Sequence, residues 1–291
     1  MYINSLSLNN NLYNTCTSPS FTSFKREVKN KNGLLSYRGD TCSFRHDLDF
    51  DLLVNYLNSK YKKANKVNVI MHACSSGEEV YSFAAALKSI LGDECKKFTP
   101  LQARDLDPVH INLAKSAHYS MESYELDNAK INLAGDSLDK YYDLLDRGYM
   151  YELRTPNKDL KSMVRFKQAD ILKDVDFIPK KNTVLFARNL WPYLENKQSA
   201  LLAYKLSKIF DKSSLLVIGD FDVEFGMGYL LESVGFKKTI IRNVYEKAEN
   251  FILDLEKTNF DDETKKILKT SDYYGVEKFV KIINFAKLLI K

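Results

Sequence analysis

Lys66-Val67-Asn68-Val69-Ile70-Met71-His72-Ala73, followed by Cys74-Ser75-Ser76-Gly77-Glu78-Glu79, decides how this chain folds. Val67, Val69 and Met71 alternate against Asn68, the two-residue period of a strand. Ser75-Ser76-Gly77 is turn chemistry. Beyond it Val80, Phe83, Ala84, Leu87 and Leu91 recur at helical spacing. A strand, a tight turn and a helix make the first half of a βαβ unit. Upstream, Phe50, Leu53, Val54 and Leu57 share one face of a helix expected from Asp47 to about Lys62. Downstream the pattern repeats. Phe98 to Ala103 reads as a strand ending at Asp105, and Pro108 to Ser116 as a helix. Met163 to Lys167 reads as a third strand ending at Asp170. Asn182 to Ala187 suits a buried parallel strand and runs into Arg188-Asn189. Gln198 to Phe210 is helical through Leu202, Leu206 and Ile209, and Ser214 to Ile218 is another strand, closed by Gly219. Alternating strands and helices predict an α/β domain with a doubly wound sheet.

Tyr119 to Ser162 interrupts the alternation. A helix is expected over Asp136 to Leu145 and a strand over Tyr149 to Leu153, before a turn near Pro156. The stretch 119–162 is therefore read as a small inserted subdomain within a main domain spanning 41–255. Residues 1–40, which begin with a tail rich in Asn, Ser and Tyr, are expected to be poorly structured. Residues 256–291 are read as a helical extension, with a helix over Val276 to Ile290 that carries Lys278, Lys281 and Lys287. A basic amphipathic helix can bind membranes, but its apolar positions suit ordinary packing, which favours a terminal helix docked on the domain.

Bulk properties exclude several classes. A net charge of +5, from 43 basic and 38 acidic residues, gives no argument for nucleic acid and would not repel an acidic protein. Cys16, Cys42, Cys74 and Cys95 are isolated, with no His at ligand spacing, so neither a metal site nor a disulfide framework is expected. Reduced thiols point to a cytoplasmic protein. No apolar run reaches the roughly 20 residues of a membrane span, and the start lacks the layout of a secretory signal.

In an open parallel sheet, ligands bind beyond the carboxyl ends of the strands. Four places there carry polar residues. In the first turn, small residues allow close backbone approach and Gly77 permits angles closed to other residues. Without a GxGxxG the turn is not a dinucleotide fingerprint, which argues against a nicotinamide-dependent oxidoreductase. Glu78 and Glu79 either complement the helix dipole or face a cationic ligand group. Asp105 could accept both hydroxyl protons of a ribose, since Asp107 before Pro108 serves better as the helix cap. Asp170 could accept the exocyclic amine of adenine while Ile171 packs on the ring, or it could be a solvated loop residue. Arg188-Asn189-Leu190-Trp191-Pro192-Tyr193 clusters the chain's one Trp with polar residues after a buried strand.

Taken in order, these segments resemble the chemotaxis protein-glutamate methyltransferases of the CheR type. Thr41-Cys42-Ser43-Phe44-Arg45 matches that family's Thr-x-x-Phe-Arg element before a helix. Cys74-Ser75-Ser76-Gly77-Glu78-Glu79, with Tyr81-Ser82 after it, matches its glycine-poor cofactor turn. Asp105-Leu106-Asp107, Arg188-Asn189 with Tyr193, and Gly219 to Asp222 follow in register. The likeness runs from about Asp40 to Lys247. It implies a Rossmann-like methyltransferase fold that uses S-adenosylmethionine and releases S-adenosylhomocysteine. It also implies that Thr41, Arg45, Cys74, Ser75, Gly77, Glu79, Asp105, Asp170, Ile171, Arg188 and Asn189 bind the cofactor. Arg45 and Tyr193 would lie nearest the transferred methyl. Cys74 itself reads as a buried packing residue.

The implied substrate is a protein carboxylate, as in the cytoplasmic region of a chemoreceptor or another signalling protein. There are departures: Gly39 replaces an Asn, Ser43 a Phe, Trp191-Pro192 two aliphatic residues, and the family's N-terminal helical domain has no clear counterpart. A glutamate, with a pKa of about 4.3, needs no general base. None of His46, His72, His110 or His118 falls within the matched elements, which favours such an acceptor. The rival readings are a methyltransferase with another acceptor and a cofactor-binding module without turnover.

Overall fold

The computed structural model describes residues 41–194 and 196–249, preceded by a short antiparallel pair, β1 (Val28–Lys29) with β2 (Leu35–Ser36). The rest of the expected N-terminal segment and the helix Val276 to Ile290 lie outside the described residues.

Helix α1 (Phe50–Lys60) starts where the Asp49 carboxylate accepts from Leu52 N, and it buries the face predicted from Phe50, Leu53, Val54 and Leu57. Strand β3 (Asn68–His72) and α2 (Glu78–Leu91) follow. Next come β4 (Leu101–Asp105) and α3 (Pro108–Ser116). Asp107 caps α3 by accepting from Val109 N at 2.8 Å. β4 begins three residues later than the apolar run at Phe98 implies. Pro100 has no N–H to donate to a ladder, and Phe98 instead packs edge-on against Tyr61.

The inserted stretch holds β5 (Tyr119–Glu122), α4 (Ser123–Asn132), β6 (Tyr142–Arg147), β7 (Tyr151–Pro156) and a short α5 (Lys158–Ser162). The helix expected over Asp136 to Leu145 is not formed. A short 3-10 turn, Leu138–Lys140, leads directly into β6, which pairs antiparallel with β7 around a bulge between Leu144 and Asp146. Tertiary pairing overrides a pattern that reads as helical locally. Helix α4 was not anticipated because it is mostly polar. It is held by Glu125, which accepts from Glu122 N at its own start and from Ser43 N across the fold, at 2.8 and 2.6 Å.

β8 (Val164–Gln168), α6 (Ile171–Asp174), β9 (Thr183–Ala187), α7 (Asn196–Ile209), β10 (Leu215–Val217), α8 (Asp220–Glu224), α9 (Met227–Ser233), β11 (Phe236–Lys238) and β12 (Val244–Lys247) complete the described chain. The main sheet has the order β11-β12-β10-β9-β3-β4-β8, parallel throughout from β10 to β8, with β12 antiparallel to β10 and β11. Val69 and Met71 face one hydrophobic cluster with Phe83 and Phe186, whereas Ile70 and Leu185 face another with Leu202 and Leu206. Successive residues of the central strands β3 and β9 thus bury into opposite layers, the arrangement of a doubly wound α/β fold. After β3 the chain builds outward through β4 to β8, then returns to place β9 on the other side of β3. The crevice lies at that reversal. Among the described residues no helix is long and apolar enough to cross a membrane.

Candidate functional site

The register His72↔Ala187 sets the turn after β3 beside Arg188-Asn189, and His72↔Arg104 sets it beside the end of β4. Between these ends lies a cavity of about 280 Å³. Its walls include Thr41, Arg45, Cys74, Ser75, Glu79, Asp105, Asp170, Ile171, Arg188, Asn189 and Tyr193, so the structure brings residues from five separated segments to one place.

Gly77 is not on the wall. Its φ is +92°, and a Cβ there would stand 3.0 Å from both the Ala114 Cβ and the Tyr119 hydroxyl and 3.2 Å from the Phe166 ring. The missing side chain serves packing of α2 against its neighbours, on the side away from the cavity. The turn is nevertheless tightly wound, with Ala73 and Ser75 also in the left-handed region at φ +55° and +47°.

That winding aims Ser75 N–H at Asp105 Oδ2, 2.8 Å away, while Asp107 N–H donates to Oδ1 at 2.9 Å. Burial raises the Asp105 pKa, but His110 and these two amide donors outweigh it and hold the carboxyl below its usual range. The same contact, His110 Nδ1 at 3.7 Å from Asp105 Oδ1, raises the imidazole pKa. Cys74 is buried and its thiol is pushed well up by burial and by Asp105, so it stays protonated and inert.

Asp170 caps α6 through Leu172 N at 2.9 Å and still lines the cavity, and Ile171 packs into the layer beneath. Asp174, one turn on, ties this corner to the sheet by accepting from His72 Nε2 at 3.0 Å and from Arg104. The His72 hydrogen bond, helped by Arg104, holds Asp174 down to about 2 against the opposing effect of burial. His72 has its pKa lowered, chiefly by burial, and is neutral.

The opposite end is ionic. Arg188 lies between two carboxylates, with Nη1 donating to Glu79 Oε2 at 2.5 Å and Nη2 2.7 Å from Asp47 Oδ1. Burial would lower the Arg188 pKa, but Glu79 and Asp47 raise it further, so the guanidinium stays charged. Asp47 also reaches Arg45 Nε at 3.3 Å. Burial raises the Asp47 pKa, yet the two arginines win and keep it ionised far below the usual carboxylate range. The carboxamide oxygen of Asn189 belongs on the Arg45 side, where it accepts from Nη1 at 3.2 Å and Nη2 at 3.0 Å. The backbone on either side of Ser43 fixes this segment: Ser43 N donates to Glu125, and Phe44 N to Ser82 Oγ at 2.9 Å. Tyr193, 47% exposed, stands on the rim, while Trp191 is fully buried with its Nε1 donating to Ala187 O.

Sequence reasoning missed three polar groups. His72 and His110 both line the cavity although neither falls within the matched elements, and each faces a carboxylate. In the sequence Asp47 stands out only as the start of a helix. Its position two residues past Arg45 was the available signal. Among the described residues, no cluster of His, Cys, Asp and Glu has the geometry to hold a metal.

The donor set fits S-adenosylmethionine. Carboxylates after β4 and β8 stand at positions for hydroxyl and amine groups, and a second end combines acids with guanidinium groups. The family described as the CheR methyltransferase SAM-binding domain matches residues 39–239. A chemotaxis protein methyltransferase of Borreliella burgdorferi is 28% identical over 188 residues, covering 62% of this chain and 62% of its own length. Chemotaxis protein methyltransferase 2 of Pseudomonas aeruginosa is 24% identical over 198 residues, covering 67% of each. The match thus spans less than two thirds of the Borreliella relative. Among solved structures, the magnesium protoporphyrin IX methyltransferase of Synechocystis PCC 6803 with bound SAM aligns at 10% identity and a TM-score of 0.33, over 68% of this chain and 78% of that one. That likeness is too distant to bear on function.

Proposed function

This chain belongs to the CheR methyltransferase family, whose SAM-binding domain covers its residues 39–239, and from that premise we propose that it transfers the methyl of S-adenosylmethionine to a protein carboxylate, a glutamate side chain. One observation carries the choice of acceptor. Arg45 is held beside the cavity by Asp47 on one edge and Asn189 on another, with Tyr193 on the same wall, whereas both cavity histidines are tied to carboxylates. An amine acceptor must shed a proton before attack, and of the two cavity histidines among the described residues His72 is buried with its Nε2 held by Asp174, while His110 turns its Nδ1 toward Asp105. A carboxylate arrives ionised and requires alignment and exclusion of water.

The cofactor, when bound, supplies an electrophilic methyl on a sulfonium. Asp105 would receive the ribose hydroxyls, Asp170 and Ile171 the adenine, and Glu79 the amino group of the methionine part. Arg45 and Tyr193 would orient the acceptor carboxylate. Ser75, Cys74 and Thr41 shape the wall. The protein partner we propose is a signalling protein, with the cytoplasmic region of a chemoreceptor as its natural class, and the reaction is placed in the cytoplasm. The domain limits 41–255, with 119–162 as an insertion, belong to the same proposal.

Incubation with methyl-labelled S-adenosylmethionine and host lysate tests it. Protein-bound label should be lost in mild alkali, as a carboxyl methyl ester is. Alkali-stable label would overturn the acceptor, and cofactor binding without any labelled product would overturn turnover itself.

A further inference from the structure

Asp222, on α8, is completely buried and belongs to none of the cavity-lining segments. Its Oδ2 accepts from Asn189 N at 2.6 Å and Gly219 N at 2.7 Å, and its Oδ1 from Trp191 N at 3.2 Å. Capping α8 accounts for the Gly219 amide alone. The other two donors belong to the loop after β9, so one carboxylate stitches the loops after β9 and β10 together.

What those bonds hold is a conformation that the chain would not choose freely. Asn189 sits at φ +53°, where an Asn is tolerated at some cost. Released, its backbone would relax and its side chain would turn. Held, the side chain meets Arg45, accepting from both Nη1 and Nη2. Gly219 makes the room. A Cβ there would fall 2.1 Å from the Asn189 side-chain amide and 3.2 Å from its backbone N. Asp47 restrains Arg45 at Nε, so the guanidinium is gripped at two edges.

We infer that Asp222 is a positioning residue for Arg45, acting through the Asn189 carboxamide, with Gly219 as the space that lets the carboxamide reach. This rests on Arg45 being the group that orients the acceptor. A misplacement of about 1 Å in such a group can lower a rate on the order of 100-fold.

The test uses Asp222→Asn and Gly219→Ala, each alone and each combined with Asn189→Ala, in the full chain. Three quantities are read: S-adenosylmethionine affinity by calorimetry, the initial rate of alkali-labile methyl transfer into one lysate preparation at saturating cofactor, and hydrogen exchange of the Arg45 guanidinium by 15N NMR in the cofactor-free protein. Each single variant should lower the rate by about 10- to 100-fold. Cofactor affinity should fall by less than the rate does, since Arg45 and Asn189 also border the cofactor cavity, and Arg45 exchange should be faster. In the Asn189→Ala background neither change should lower the rate further.

A further tenfold loss in that background, or unchanged Arg45 exchange in a folded single variant, would overturn the inference. Should Asp222→Asn fail to fold, Gly219→Ala, which leaves the carboxylate in place, decides alone. A parent protein that transfers no alkali-labile methyl would refute the proposed acceptor, and Arg45 exchange would still judge the link from Asp222.

Discussion

At one end of the cavity, Arg45 and Asp47, Glu79, and Arg188 come from three distant stretches of sequence and meet as a charge network in which Asp47 and Arg188 are buried and Arg45 and Glu79 partly so. At the other, Asp105 is satisfied by backbone N–H groups of Ser75 and Asp107, and His110 lies one helical turn away. The first end exists only when three segments have assembled. The second is assembled largely by the β4–α3 connection and one neighbouring turn. Buried ion networks are unforgiving because removing one member strands the others, whereas a carboxylate receiving amides loses a bounded number of hydrogen bonds. The ionic end should therefore be the less tolerant of substitution.

Arg188→Met tests that most severely. It leaves Glu79 and Asp47 buried without their shared cation, and urea unfolding should report a loss of about 3–5 kcal/mol. A loss under 1 kcal/mol would mean that water reaches both acids and that the contrast is false. Asp105→Ala frees two amides and should cost less, about 2 kcal/mol, while abolishing measurable cofactor binding in calorimetry. Equal costs for the two substitutions would erase the distinction.

The Asp174 corner responds to pH. Its folded pKa of about 2 lies below the usual carboxylate value, so its contribution is fully present above about pH 4 and is lost as pH falls toward 2. Asp174→Asn should flatten that part of the stability curve by about 1 kcal/mol, after allowance for solvent screening. His110 has the opposite sign. Its raised pKa gives stability that is present below about pH 6.5 and disappears as pH climbs through the folded value. His110→Gln should lose about 0.5 kcal/mol at pH 5.5 and nothing at pH 9, read by thermal melts at both.

The alternation of Val67, Val69 and Met71 and the helical spacing after Gly77 made the sheet legible, because the central strands β3 and β9 bury both faces beneath flanking helices. Residues following strands could be marked as wall candidates for the same reason. Two kinds of information were out of reach. Tyr142 to Arg147 forms a strand because β7 pairs with it across a hairpin, a pairing that the spacing within the segment misreports as a helix. Gly77 looked like a ligand-facing glycine, yet what it avoids is Ala114, Tyr119 and Phe166, which only the folded layers bring near. The partners of Arg188 and the anchoring of His72 and His110 are likewise products of register, not of spacing along the chain.

Trp191, the chain's sole tryptophan, gives the protein an optical property. Its indole is sealed from solvent, its ring N–H is bound to Ala187 O, and its backbone is pinned by Asp222. Tryptophan emission, excited selectively over the 18 tyrosines, therefore arises at the loop joining Arg188 to Tyr193, and should be blue-shifted while that loop is in place. A red shift on titration with ligand or denaturant would time the release of this loop without any attached dye.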